Sequence, residues 1–160
     1  MVSQGESNVQ PDLALLLVAA SRAVADALQE TMRAADLDEM RSSFGFVLRA
    51  LGDGATLTEL ADRLGVTKQA AIKVVDEMER LGFIERRPHP ADRRAKVLAA
   101  TERGHRVRAT ALKASRRMER DLRRVAGDAD VDALRRALGA FLDQHGGLDE
   151  VTAGRARPVW

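Results

Sequence analysis

From Pro11 to about Ala35 the apolar residues return at steps of three and four: Leu13, Leu16, Leu17, Ala20, Val24, Ala27, Leu28 and Met32. That period lines one face of an amphipathic helix. Pro11 and Asp12 suit its first turn, the one by its fixed φ and the other by its charge at the positive end of the helix dipole. A second helix is predicted from Ser42 to Leu51, with Phe44, Val47, Leu48 and Leu51 inward and a stop at Gly52-Asp53-Gly54. A third starts at Thr56 or Thr58 and buries Leu57, Leu60, Ala61 and Leu64. Thr56 with Glu59 three residues later is a capping-box pattern. Gly65 ends this helix, and Thr67 caps a fourth that runs to about Leu81 with Ala71, Val74, Val75 and Met78 inward.

Past Gly82 the pattern shortens. Phe83 to Arg86 reads as a strand, Pro88 and Pro90 interrupt it and make a loop, and Lys96 to Ala99 reads as the return strand. Thr101 to Gly104 opens the next helix, which carries Val107, Ala111, Leu112, Met118, Leu122 and Val125 among many arginines. Gly127 to Asp130 is expected to interrupt it, and a final helix from Val131 to about Gln144 buries Leu134, Leu138, Phe141 and Leu142. Two short helices followed by a hairpin form a winged helix-turn-helix. The expected fold is therefore mainly α with a small β-wing, flanked by a layer of longer terminal helices. Residues 1–10 read as a disordered polar tail, 11–38 and 105–145 as the helical layer, 41–104 as the winged unit, and 146–160 as a flexible tail.

Composition narrows the classes. The chain has 160 residues, 45% of them apolar, enough for a real core. Aromatics are only 3% and Tyr is absent, which argues against stacking platforms for single strands. The formal charge is +2, so the placement of basic groups decides more than their sum. There is no cysteine, hence no disulfide, thiolate zinc site or thiol switch. The run LALLLVAA soon meets Arg22 and Asp26; it is too short to span a bilayer and has no basic segment before it. A cytoplasmic protein without a membrane partner is expected. Abundant Arg and Ala fit a GC-rich bacterial genome.

Candidate chemistry concentrates in the winged unit. Thr67, Lys68, Gln69, Ile72 and Lys73 lie opposite the inward face of the fourth helix, where a recognition helix meets base edges. Gln69 can pair with adenine through two hydrogen bonds, and Ile72 can rest on a thymine methyl. Lys68, Lys73 and the helix N-terminus can hold phosphates. Asp76, Glu77 and Glu79 begin one turn later, and this acidic half is expected to point away from DNA. In the hairpin, Asp92 and Arg94 stand two apart, so an extended backbone puts them on one side. Such an Asp can hold the Arg extended into a narrow minor groove, whose negative potential attracts it. Arg86, Arg87, Arg93 and Lys96 would add phosphate contacts. Arg116-Arg117 and Arg123-Arg124 read as solvated helix surface, with an extended phosphate footprint as the alternative.

Other chemistry lacks a pattern. His89, His105 and His145 are scattered, and no metal-ligand spacing accompanies them. There is no phosphate-binding glycine loop, nucleophile elbow or paired-carboxylate constellation. Neither an enzyme nor a cofactor is expected.

The stretch LTELADRLGVTKQAAIKVVDEMERLGFIERRPHPADRRAKVLAATERG, Leu57 to Gly104, resembles the MarR family of transcriptional regulators. With its flanking helices the resemblance extends over roughly Pro11 to Gln144. It implies a triangular homodimer whose first helix and last two helices form the dimer layer, with two winged lobes below. It also implies a sequence-specific regulator of double-stranded DNA, a repressor in the main, released in many relatives by a small, often phenolic, effector. By analogy the effector cleft would be bordered by Leu17, Met40, Phe44 and Val47. Ile72 departs from the small polar residue common at its position, which suggests a more apolar base contact. Apart from the resemblance, the apolar stripes of the terminal helices exceed what the small winged unit can cover, which favours an oligomer. The rival readings are an architectural DNA binder without an effector and a winged module that binds proteins.

Overall fold

The computed structural model describes residues 11–91, 95–147 and 151. Six helices and a two-stranded antiparallel hairpin follow in the order α1 (Leu13–Arg33), α2 (Ser42–Leu51), α3 (Leu57–Leu64), α4 (Lys68–Arg80), β1 (Ile84–Pro88), β2 (Lys96–Ala100), α5 (Glu102–Ala126) and α6 (Asp128–Gln144).

Side-chain caps set most of these boundaries. Asp12 stands just outside α1 and accepts from the Ala14 amide at 2.9 Å. Thr56 and Glu59 close the capping box in both directions, the Thr56 amide donating to Glu59 Oε2 at 2.7 Å. Those hydrogen bonds from Thr56 hold the Glu59 carboxyl below the usual carboxylate range. Gly65 takes the left-handed conformation at φ 63°, which ends α3 and lets Thr67 start α4 at once. Thr101 caps α5 by accepting from the Gly104 amide at 3.1 Å, and its hydroxyl donates to Gly82 O at 2.6 Å.

Two boundaries differ from expectation. Pro88 ends β1, paired with Lys96, instead of interrupting it. A proline is tolerated there because the ladder of this two-stranded ribbon is about to end. The break between the last helices is Gly127 alone, at φ 88°, and Asp128 and Asp130 lie in the first turn of α6, where the helix dipole favours them.

The core gathers the C-terminal end of α1 (Met32), the following link (Leu37, Met40), all of α2 to α4, the base of the hairpin and Val107 of α5. Phe44 and Phe83 meet at its centre, ring centroids 6.0 Å apart and tilted by 57°. Ala55 adds a short third rung to the hairpin, exchanging two backbone hydrogen bonds with Leu98 at 3.1 and 2.8 Å. Arginines then close helix ends: Arg63 donates to Ala50 O at 2.9 Å, Arg108 to Gly52 O at 3.1 Å, and Arg103 to Leu81 O at 2.7 Å. Each satisfies a carbonyl that a helix terminus leaves without an internal partner.

Gly104 shows how tightly α5 sits on the hairpin base. A Cβ there would lie 2.2 Å from Phe83 O and 3.2 Å from the Ala100 Cβ. The clash is with backbone, which cannot swing aside. Gly104→Ala is therefore expected to lower stability by about 1–3 kcal/mol, as overpacking does, although alanine favours a helix interior by about 1 kcal/mol. Urea unfolding of the two proteins checks this.

Candidate nucleic-acid interface

Helix α4 is laid across the unit by its inward face. Ala71, Val75 and Met78 are buried, and Val74 packs partly against the same core. That leaves Thr67, Lys68, Gln69, Ile72 and Lys73 exposed together on the outer face. Ile72 is 37% exposed. Thr67 satisfies the Ala70 amide at 3.2 Å, and the earlier amides of α4 stand at an exposed helix end, a ready anion site. The structure thus brings five of the expected residues into one surface.

The hairpin follows directly. Lys96 is exposed on β2, opposite Pro88. Arg87 is exposed on β1 and bonded to Glu85, its Nε at 2.8 Å. Asp92, Arg93 and Arg94 lie outside the described residues.

Arg86, expected as a phosphate contact, is paired with two acids of α4. Its Nη2 reaches Asp76 Oδ1 at 2.6 Å and its Nη1 bonds to Glu79, so the guanidinium is turned onto α4. The hydrogen bond to Asp76, then the charge of Glu79, hold it above the ordinary arginine range. The expectation that the acidic half of α4 points away also needs correction. Asp76 follows Gln69, Ile72 and Lys73 at helical steps and continues their stripe, with Glu79 one step further. Counting charges along the sequence missed this, because helical position and not order decides the face.

The four residues expected to border an effector cleft do not meet in one. Phe44 and Val47 are 1% and 3% exposed and belong to the core, Met40 is also buried, and Leu17 lies on the exposed N-terminal part of α1. The hydrophobicity of Met40, Phe44 and Val47 is used for core packing. A cleft of about 550 Å³ opens instead beside Gln29, Asp38, Glu39, Met40, Arg41 and Glu77, and of the four it includes only Met40. Its walls are mainly polar, with Arg41 paired to Glu77 at 2.7 Å.

Far from the winged unit, α1 has no buried residue before Met32, and Leu13, Leu16, Leu17 and Val24 are exposed. Leu112, Leu122 and Val125 of α5 and Leu134, Leu138 and Phe141 of α6 are exposed as well. Arg123, expected as solvated surface, joins α5 to α6 through Asp128 at 3.1 Å and Asp132 at 2.8 Å, and is held on its own helix by Glu119 at 3.0 Å. No helix among the described residues is long and apolar enough to cross a membrane.

Comparison with known proteins agrees with this geometry. The MarR family pattern matches residues 45–95, which run from α2 to the hairpin. The transcriptional repressor MprA of Escherichia coli K12 is 44% identical over 48 residues, 30% of this chain and 27% of the repressor. Among solved structures, FabT of Streptococcus pneumoniae in complex with DNA has a TM-score of 0.74 at 16% identity, covering 85% of this chain and 96% of that one. The transcriptional repressor CouR, bound to a 23-mer DNA duplex, has a TM-score of 0.62 at 26% identity, covering 88% and 98%. The matched segment, about a third of the chain, is thus similar to the MarR family, and the fold is that of solved winged-helix regulators.

Proposed function

We propose that the chain is a homodimeric, sequence-specific regulator of transcription that binds a pseudo-palindromic duplex site and represses from it. The observation that carries this reading is the exposed face of α4, where Thr67, Lys68, Gln69, Ile72 and Lys73 combine phosphate-binding, base-pairing and methyl-contacting chemistry on one rigid helix. The likeness to MprA, a repressor, and to the DNA complexes of FabT and CouR supports it. The exposed apolar faces of α1, α5 and α6 supply a surface for a second copy, and a two-fold dimer would set two α4 helices about one DNA turn apart. The wing residues Asp92, Arg93 and Arg94 enter the proposal on their sequence alone, as the minor-groove and phosphate contacts. A protein-binding module would have no use for the basic residues Lys68, Lys73 and Lys96 beside Gln69.

Gln69→Ala tests base reading. Discrimination at one base position per half-site should fall by about 1–3 kcal/mol, with the other positions unchanged. Competition binding with single-base variants of the site measures it. A uniform loss over all positions would mean that Gln69 only touches phosphate.

A further inference from the structure

Arg86 sits on the third residue of β1, in register with the buried Leu98 of β2. Strand alternation puts it on the same side as Ile84, which is 1% exposed, so its side chain leaves the hairpin on the face turned to the protein. There it meets α4. One arm of the guanidinium lies 2.6 Å from Asp76 Oδ1 and the other bonds to Glu79. Both acids belong to the stripe that begins with Gln69, Ile72 and Lys73. Left alone they would set two negative charges beside the phosphate backbone.

We propose that Arg86 is a positioning residue, a clamp that fixes the wing against the recognition helix and masks Asp76 and Glu79 on the face that meets DNA. This rests on the DNA-binding reading above and says how its two contact elements are held at one spacing. The planar fork of arginine can bridge two carboxylates, whereas a lysine offers a single point charge. Ion pairs this exposed contribute little to folding stability. The clamp therefore shows in DNA binding and hardly in folding.

The sign of one double substitution decides it. Asp76→Asn with Glu79→Gln removes two negative charges near DNA and leaves Arg86 unpaired. If Arg86 were a phosphate contact restrained by these acids, that protein would bind more tightly and with a steeper salt dependence, by about one more phosphate. As a clamp, its release should weaken binding to the duplex selected by the wild type about five- to tenfold, comparable to one mismatched base pair, with no steeper salt slope. Arg86→Lys, which keeps the charge and loses the fork, should weaken binding similarly. Thermal unfolding followed by circular dichroism should show both variants folded, with midpoints near the wild type. Affinity equal to or tighter than the wild type in the double variant, or wild-type binding by Arg86→Lys, overturns the clamp. Failure of the wild type itself to select any duplex would instead overturn the DNA-binding reading, so the two failures are distinguishable.

Discussion

Phe83→Ala is expected to cost about 3–5 kcal/mol of folding stability, the range for emptying a large aromatic from a well-packed core. Small domains have about 5–15 kcal/mol in all, so a large share would go. Phe83 is fully buried against Phe44, and the guanidinium of Arg103 lies 4.7 Å from its ring centroid. Its backbone carries as much of the structure as its ring. The amide donates to Met78 O at 2.9 Å, which closes α4, and the carbonyl accepts from the Thr101 amide at 3.1 Å, which opens α5. Helix α4, the hairpin and α5 all meet at this residue. The ring's removal leaves a void that these backbone tethers keep from collapsing, which places the cost toward the upper end. Equilibrium urea unfolding checks the value, and a loss under 1 kcal/mol would mean that the core is packed differently.

A second large effect is expected where the single chain leaves apolar surface uncovered. Leu16 is 48% exposed on α1 and Leu138 37% on α6, so neither supports the core of one protomer. In the proposed two-fold dimer each position would occur twice. Burial of a leucine is worth about 1.5–3 kcal/mol, and a carboxylate in its place adds a desolvation cost. The double change Leu16→Glu with Leu138→Glu should therefore raise the dimer dissociation constant more than about a hundredfold, leaving monomers at micromolar concentration. Sedimentation velocity measures this directly. An unchanged dimer would move the interface off these helix faces.

How far the sequence shows these features depends on their range. Helical periods and caps are local, so Thr56, Gly65, Thr67 and Thr101 mark their helix ends within a few residues of sequence. The inward face of α4 is equally local, and its opposite face gave the candidate reading surface. What could not be read depends on neighbours distant in sequence. Gly104 resembles any helical glycine until Phe83 O is placed 2.2 Å from its missing Cβ. Ala55 gives no strand signal, because a lone bridge to Leu98 needs no run of residues. Met40, Phe44 and Val47 are apolar residues that fit a cleft wall and a core equally well on paper, and only packing separates the two. Arg86 is the sharpest case. Beside a wing, an arginine suggests phosphate, and its partners Asp76 and Glu79 become visible only when the hairpin folds back on α4.

The central claim is that two α4 helices read duplex DNA as a pair. Selection of bound duplexes from a random pool, at near-physiological salt, tests it most directly. A pseudo-palindromic consensus with half-sites about 10 base pairs apart is expected. Recovery of no consensus, with only weak and strongly salt-dependent binding, would contradict it.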